Sequence, residues 1–452
     1  MSKVIKIKKG LDIKLKGTAE KVTMQIDQSA LYAIKPLDFA GLTPKMCARP
    51  GDSVKVGTPI FFDKYRPSIQ YVSPVAGVLR EVVRGERRRI LEVVIEAQKE
   101  PGYEEFSSGN PADMAAETIR ETLLKSGLWP ALVQRPYGIV ADPEVEPDAI
   151  FVSGFDSAPL GVDYDVILKD QEENVAAGVA ALQKLTKGKV HLSLEDGFPV
   201  SKAFANLKDV EYHTFNGPHP AGLVGIQIHH ISPINKGDIY WTVNPQHLCL
   251  IGKLFLSGKL DTSVVVAVAG SQAAKPRYVR TNLGTALTPV LKDQLSGDSA
   301  ETRVISGNVL CGRAVDPDGY LGFYDSLVSL IPEGNYYELF GWVMPGLNKF
   351  SVSRTFLSWL RPGKFWDIDT NLKGGKRAFV MSGQYEKVLP MDVLPVHLLK
   401  AILADDIDKM EQLGIYEVIE EDLALCEFVC TSKIEAQSIL RDGLDLMRKE
   451  MS

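Results

Sequence analysis

The sequence has few cysteines and no long apolar run. Its five cysteines, among 452 residues, are too few and too scattered for a disulfide scaffold, which predicts a reducing, cytoplasmic setting. The longest strongly apolar stretch, 264–269, is far shorter than the ~20 residues that a membrane-spanning helix needs. Residues 3–9 alternate apolar and basic side chains, which predicts a strand rather than a signal peptide. We therefore expect no membrane span.

An excess of positive charge is also lacking. Lysine and arginine total 51 and aspartate and glutamate total 57, so the net charge is −6. A nucleic-acid-binding protein needs a basic surface to displace the counterions of the phosphates, so this class is not expected. Hydrophobic residues make up 45% and charged residues 24%, as in ordinary globular proteins. At ~150 residues per domain the length predicts about three domains.

The first hundred residues contain short strand patterns separated by turns. These strands are predicted at 53–56, 59–62, 71–79 and 90–96. Lys45 with the segments 51–57 and 73–78 resembles the barrel-sandwich fold of lipoyl and biotinyl carriers. Lys64 lies near the tip of the intervening hairpin, but the Met-Lys-Met of a biotin carrier is missing there. The pattern therefore predicts a carrier-shaped domain without a carried group.

Strand and helix patterns alternate from about 101 to 255, which predicts a parallel sheet covered by helices. The predicted strands are 148–154 and 189–194, and the predicted helices are 110–126, 173–185 and 199–207. Asn110 is expected to cap the first of these helices, with Pro111 at its first position. His229 and His230 are adjacent, so in a strand they would face opposite sides and could not share a metal.

The chain ends in a region of predicted helices, which follows another strand pattern at 264–270. The helices are expected at 396–403, 408–413 and 432–447, the last opened by a capping box of Ser432 and Glu435. Cys426 and Cys430 would lie one helical turn apart, but two thiols cannot complete the ligand set of an iron–sulfur cluster. We therefore predict no metal site here.

A G-x-G-x-x-G motif is missing from the alternating region. Such glycines let backbone N–H groups approach the phosphates of a flavin or dinucleotide. Residues 126–137 contain one glycine, Gly127, with the bulky Leu128, Trp129 and Leu132, which predicts an apolar surface instead. The sequence also lacks a P-loop, a nucleophile elbow and a Ser-His-Asp order, so no catalytic residue is predicted.

The loop 216–225 places turn-forming residues around His219. One interpretation is a rigid connection with a structural histidine. The other is a pocket wall in which a neutral His219 donates a hydrogen bond to a carbonyl. Both stay open at the level of sequence.

Several blocks, in one order along the chain, resemble the A subunits of bacterial Na+-translocating NADH:quinone oxidoreductases, the NqrA family. The blocks are 5–12, 126–129 with 135–136, 217–223, 275–277 with 279–281, 338–342, 344–346, 348–352 and 420–426. This resemblance covers essentially the full length and, with the patterns above, implies a multidomain α/β fold. The expected segments are a barrel-sandwich (lipoyl-like) β domain at 1–100, a Rossmann-like α/β domain lacking a nucleotide loop at 101–255, a β-grasp (SLBB-like) domain at 256–330, a connecting α/β region at 331–380 and a C-terminal helical domain at 381–452.

The resemblance implies a peripheral subunit on the cytoplasmic side of the bacterial inner membrane, with five partner subunits. The partners would hold the NADH site, the flavins, the iron–sulfur centres and the Na+ path. This subunit would bind no cofactor or metal of its own, would be inactive alone, and would contribute to quinone binding and to the reduction of semiquinone to quinol. Either ubiquinone or menaquinone fits this role.

The same family is distantly similar to the flavin-binding subunit of complex I and to the C subunit of the Rnf complex. Those relatives carry a glycine-rich flavin loop and cysteine clusters, which residues 126–135 and the lone pair of Cys426 and Cys430 replace here. One alternative is an Rnf-type electron-transfer subunit with its own flavin or iron–sulfur centre. Another is a lipoyl- or biotinyl-type carrier modified at Lys64.

A quinone site follows as a hypothesis from the exchange of a phosphate loop for apolar bulk. At ~25 cal/mol per Å2, covering a few hundred Å2 of ring and tail contributes several kcal/mol. The candidate quinone-binding residues are Trp129, Leu132, Arg135, Tyr137 and His219. Trp129 would stack on the ring, and the polar side chains would orient the head-group carbonyls.

Overall fold

A computed structural model describes residues 4–100, 102–295, 301–341, 343–361 and 363–451. Trp342, which belongs to the resemblance block 338–342, lies outside these residues. The strands, in chain order, are β1 (Ile5–Lys6), β2 (Glu20–Gln25), β3 (Leu31–Ile34), β4 (Pro44–Met46), β5 (Ser53–Val54), β6 (Pro59–Asp63), β7 (Gln70–Val72), β8 (Gly77–Arg84), β9 (Ile90–Ala97), β10 (Val133–Arg135), β11 (Ile139–Val140), β12 (Ala149–Ser153), β13 (Val190–Glu195), β14 (Val210–Asn216), β15 (Tyr240–Thr242), β16 (Ser263–Ala269), β17 (Arg277–Asn282), β18 (Thr302–Ser306), β19 (Arg313–Ala314) and β20 (Leu327–Pro332).

The α-helices are most numerous near the C-terminus. In chain order they are α1 (Ala116–Ser126), α2 (Tyr164–Ile167), α3 (Glu172–Gln183), α4 (Val224–Ile231), α5 (Pro245–Ser257), α6 (Leu287–Leu291), α7 (Tyr385–Val388), α8 (Pro395–Leu403), α9 (Ile407–Gln412), α10 (Ala424–Val429) and α11 (Ala436–Met451). None of the helices among the described residues is both long enough and apolar enough to cross a membrane.

Residues 31–97 form the predicted barrel sandwich. Two small antiparallel sheets, β3-β9-β8-β5 and β4-β6-β7, enclose a core in which Phe61 stacks on Tyr71 with ring centroids 4.8 Å apart. Lys64 lies in the exposed turn between β6 and β7, as expected from the sequence. Its modification stays an open alternative.

The second unit contains a seven-stranded sheet in the order β1-β14-β13-β12-β15-β10-β11. Its centre is parallel, as predicted, and β10 and β11 add an antiparallel edge. Helices α3 and α5 pack closely against each other. A Cβ atom on Gly252 would lie 1.7 Å from the carbonyl oxygen of Asn174, so the two helices meet where a glycine leaves room.

Three local predictions in this unit were wrong. Residues 199–207 form turns instead of a helix, because the hydroxyl of Tyr212 donates to the carbonyl of Phe204 and accepts from the backbone N–H of Leu207. His229 and His230 lie in α4 and not in a strand. Asn110 caps a separate 3-10 turn, Pro111–Asp113, and α1 begins only at Ala116.

The third unit is a six-stranded sheet in the order β19-β18-β20-β16-β17-β2. The strand predicted at 264–270 is its central strand β16. Strand β2 pairs with β17, and β1 pairs with β14, so both strands pair outside the barrel sandwich. The five sequence boundaries given above stay predictions.

Regular structure is sparse between β20 and α7. Among the described residues of 333–384, it amounts to one 3-10 turn, Leu357–Leu360, so the α/β character expected for 331–380 is not found. Many large apolar side chains of this segment face outward, which leaves little core for strands or helices to cover.

The helical region at the C-terminus is present, but its last helix starts later than predicted. Helix α11 begins at Ala436 and not at Ser432. Glu435 pairs with Lys376 and does not close a capping box, while the carboxylate of Glu427 accepts from the backbone N–H of Gln437. The orphan N–H group at the helix start is thus satisfied from a neighbouring helix.

Candidate functional site

A cavity of about 1080 Å3 lies where the barrel sandwich, the parallel sheet, the third unit and the C-terminal helices meet. Its walls include the carboxyl end of β12 and the start of α4, the edge of an α/β sheet at which ligands usually bind. The segments that line it are 36–44, 88–90, 138–140, 155–156, 222–224, 242–245, 307–308, 311–313, 324–327 and 419–421, together with single residues such as Ser153.

The edge at β12 is held by a short network of hydrogen bonds. The hydroxyl of Ser153 donates to the carbonyl of Gly222 at 2.9 Å and accepts from the amide of Gln227 at 2.8 Å. The hydroxyl of Ser157 accepts from the backbone N–H of Gly222 at 2.8 Å. A Cβ atom on Gly222 would lie 2.6 Å from the backbone nitrogen of Ser157, so only glycine allows this approach. The start of α4 is therefore fixed against the sheet.

Carboxyl groups stand in the wall of the cavity. Asp156 accepts the backbone N–H groups of Ala158 at 2.8 Å and Val162 at 3.1 Å, and burial raises its pKa. Burial also raises the pKa of Asp325, which is bonded to Ser306 at 2.6 Å. Carboxyl groups of this kind hold a proton at higher pH than exposed ones do.

Glu421 is a cavity carboxyl group that forms an ion pair with a buried arginine. Burial raises its pKa, and the guanidinium of Arg135, 2.8 Å away, acts in the opposite direction. The same guanidinium pairs with Asp422 at 2.7 Å, and Asp422 is fully buried. Arg135 therefore holds two carboxylates together, of which Glu421 borders the cavity.

Arginine side chains also line the cavity. Arg84, Arg88 and Arg89 project from the β8–β9 hairpin, and Arg313 comes from β19. Arg441 of α11 pairs with Glu420 at 3.2 Å. The lining therefore contains cationic groups that attract electron-rich oxygens and carboxyl groups that can hold protons.

Trp129 and Leu132 do not border this cavity. Both are fully buried in the core, and the indole N–H of Trp129 donates to the carbonyl of Ala141 at 2.8 Å. The ring of Trp129 meets Trp241 edge-on at 5.4 Å. The apolar bulk recognised in the sequence thus packs inward, with Leu128 beside it, while Ala131, two residues after Trp129, reaches the cavity.

Arg135, Tyr137 and His219 stand behind the wall of the cavity. Arg135 is 1% exposed and does not line the cavity itself, but it pairs with Glu421, which does. Tyr137 is half-buried against Tyr416 and precedes Gly138, which lines the cavity. The ring of His219 is bonded to Ser157 at 3.0 Å, and burial lowers its pKa to about 4. Their function in quinone binding stays a prediction.

Asp156, Glu421 and the arginines were missed in the sequence. Asp156 follows a predicted buried strand, and the carboxyl end of a parallel strand is a signal that could have identified it. Glu421 lies in the resemblance block 420–426. The sequence could not predict that the arginines of the β8–β9 hairpin line the cavity, because no local pattern shows that this hairpin faces the other units.

Cys426 and Cys430 are buried in and just after α10. Burial raises the pKa of the Cys426 thiol well above its ordinary value, so the reactive thiolate is disfavoured. Among the residues that the structure describes, three potential metal ligands converge at His191, Glu211 and His213, which do not line the cavity.

Three family models match consecutive parts of the chain. They are the NqrA N-terminal barrel-sandwich hybrid domain at residues 5–98, the NqrA second alpha/beta domain at 114–260 and the NQRA C-terminal domain, of SLBB type, at 265–316. They agree with the multidomain α/β fold predicted from the sequence.

Curated relatives match over nearly the whole chain. The A subunits of the Na(+)-translocating NADH-quinone reductases from Neisseria meningitidis serogroup A (strain Z2491) and from Vibrio anguillarum are each 40% identical over 450 residues, 99% of this chain and 100% of the relative. The corresponding protein from Yersinia pestis bv. Antiqua (strain Angola) is 41% identical over 452 residues, again 99% of this chain and 100% of the relative.

Among solved structures, an air-oxidised NAD+-reducing [NiFe]-hydrogenase aligns over 76% of this chain and 63% of its own chain, at 13% identity and a TM-score of 0.37, too low to support any conclusion. The full-length identity to the curated relatives and the three consecutive family matches establish that the chain belongs to the NqrA family, the A subunits of Na+-translocating NADH-quinone reductases.

Proposed function

We propose that this chain serves as the NqrA component of a Na+-translocating NADH-quinone reductase and that its central cavity receives the quinone head group. The observation that carries this proposal is the meeting of two sequence segments. The segments around 126–140 and 213–225, in which a quinone site was predicted, both contribute to the wall of one cavity.

The size and lining of the cavity support a ligand of this kind. Its volume of about 1080 Å3 is slightly above the ~300–1,000 Å3 range of small-molecule sites. Apolar side chains of Val133, Ile139 and Val224 line one part of it, and the carboxyl groups of Asp156 and Glu421 line another. An aromatic ring with two oxygens needs this combination of apolar walls and few polar groups.

The carboxyl groups supply what quinone reduction consumes. Conversion of a quinone to a quinol takes up two electrons and two protons, one proton at each ring oxygen. Burial raises the pKa of Glu421 to about 7, so this group can hold a proton near neutral pH and release it to an oxygen that gains electron density. Burial shifts the pKa of Asp156 in the same direction. Arg135 is then a positioning residue for Glu421.

The electrons come from NADH through partner subunits. In this proposal the flavins and iron–sulfur centres belong to five sister subunits, and this chain binds no redox cofactor and is inactive alone. It lies on the cytoplasmic side of the membrane and contributes to the last step, from semiquinone to quinol. Ubiquinone and menaquinone both fit the cavity chemistry.

A photoreactive quinone tests the site directly. The complex is irradiated with an azido-ubiquinone, and the modified peptides of this chain are mapped by mass spectrometry. We expect labels within 131–140 and 222–224, suppressed by excess ubiquinone. Labels confined to other parts of this chain, or found only on the partner subunits, would overturn the proposal.

A pair of variants separates the cavity from general damage. Val224→Trp fills the cavity from the start of α4, so we expect quinone reduction and labelling to fall at least tenfold while NADH oxidation by a soluble acceptor continues. Val200→Trp places the same side chain at an exposed loop position and is expected to leave both unchanged. Equal effects of the two variants would contradict the assignment.

A further inference from the structure

Strands β13 and β14 bring two histidines and a glutamate onto one face of the parallel sheet. In the register of the two strands His191 lies opposite Glu211, and Ser193 lies opposite His213. Alternate residues of a strand face the same side, so Glu211 and His213 share the side of His191. The group lies outside the cavity proposed for quinone.

The ligand atoms are close enough to share one ion. Nδ1 of His191 is 2.9 Å from Nε2 of His213 and 3.6 Å from Oε2 of Glu211, and the three ligand atoms lie within 4.8 Å of one another. Two nitrogens bound tetrahedrally to Zn2+ at ~2.05 Å are about 3.3 Å apart. The two nitrogens therefore need to move apart by only a few tenths of an ångström to bind one ion.

The rings are already oriented by their neighbours. His191 stacks on Phe151 with centroids 4.6 Å apart and planes at 11°, and it stacks on His213 at 5.1 Å. Lys189 pairs with Oε1 of Glu211 at 3.5 Å and leaves Oε2 towards His191. Packing and this outer ion pair thus fix the ligands, as is usual around bound metals.

The donor atoms also suit a metal. Imidazole nitrogens and a carboxylate oxygen are common ligands of transition-metal ions. Glu211 is 46% exposed, so an ion can enter from solvent and keep water in its fourth position.

We propose that His191, Glu211 and His213 form a binding site for a divalent transition-metal ion, with Zn2+ as the ion that this ligand set suits best. Imidazole and carboxylate ligands favour Zn2+ over Mg2+ or Ca2+. The bound ion would link β13 to β14 at the surface of the sheet. The inference is independent of the quinone site.

The test uses the purified full chain, with Co2+ as a spectroscopic probe and Zn2+ as competitor. We expect one Zn2+ per chain and visible Co2+ absorption bands of low coordination number that Zn2+ abolishes. His213→Ala and Glu211→Gln are each expected to weaken Zn2+ binding at least tenfold. His397→Ala, which removes an exposed histidine from α8, is expected to bind like the wild type.

Unfolding midpoints without metal show whether each variant is folded. If His213→Ala does not fold, the Zn2+ affinity of Glu211→Gln, a variant at a half-exposed position, tests the site instead. A wild-type chain without stoichiometric Zn2+ binding would overturn the proposal. So would folded His213→Ala or Glu211→Gln chains that bind Zn2+ as tightly as His397→Ala.

Discussion

The imidazoles of His219 and His247 are both almost completely buried. Burial lowers the pKa of each to about 4. In the unfolded chain a histidine has a pKa of about 6.5, so below that pH the unfolded state binds protons that the folded state cannot take up. A decrease in pH from 6.5 towards 4 therefore favours unfolding.

The pH dependence of His219 can be isolated by substitution. Between pH 7.5 and pH 5.0 this residue lowers the free energy of unfolding by about 2 kcal/mol. His219→Asn should lose about 2 kcal/mol less stability over that interval than the wild type, measured by denaturant unfolding at both pH values. His397→Asn should keep the wild-type difference, and the same difference in all three proteins would contradict the account.

Single residues also show which contacts a sequence can predict. Arg135 was predicted as a polar contact of the site. In the structure its guanidinium pairs with Glu421 and Asp422, which lie almost 290 residues later in the chain. No local pattern carries that pairing. Trp129 was recognised as apolar bulk, but an apolar side chain in a core and one on a pocket wall look alike in sequence.

At the scale of elements, α3 and α5 pack at the closest distance that their backbones allow. A Cβ atom on Gly178 would lie 2.2 Å from the carbonyl oxygen of Leu248, and one on Gly252 would lie 1.7 Å from that of Asn174. Each close approach involves backbone atoms, which cannot rotate away. The two helices would have to move apart to admit a methyl group.

Gly252→Ala is therefore expected to be destabilising. Overpacking of this kind typically costs about 1–3 kcal/mol, although alanine has the higher helix propensity. The measurement is the urea unfolding midpoint, with hydrogen exchange of the α5 amides. Gly375→Ala is the matched control, because no atom lies within 4 Å of its Cβ position, and it should change stability by less than about 0.5 kcal/mol. Equal midpoints would contradict the packing argument.

Elements with a strong local signal were predicted within a few residues. Strands β9, β12 and β13 have unbroken apolar or alternating runs between turn residues, so the prediction of each was confirmed. The helix expected at 199–207 has no such support. There the hydroxyl of Tyr212, outside the segment, takes up the backbone groups that a helix would use.

At the scale of the whole molecule, the segment between β20 and α7 exposes large apolar side chains. Tyr337, Leu339 and Phe340 are more than half exposed, and others lie at Met344 and Leu360. An extensive apolar surface on a protein of this kind indicates a contact with another protein. Under the proposed function the partner is a membrane-embedded sister subunit.

The double variant Tyr337→Ser/Leu339→Ser tests this contact. Because both side chains are exposed, we expect an unchanged unfolding midpoint of the isolated chain but at least tenfold lower recovery of partner subunits in affinity purification from membranes. Phe198→Ser, at an exposed position on the second unit, should retain the partners. Full recovery with the double variant would show that this surface is not the contact.

Strands β1 and β2 pair with β14 and β17, which lie more than 200 residues further along the chain. At ~5–20 residues per second, a ribosome needs about 10–50 s to produce those partners. During that interval the edges of β1 and β2 have no strand partner. Neither sheet can therefore be completed in the order of synthesis, and both strand edges stay open until their partners have left the ribosome.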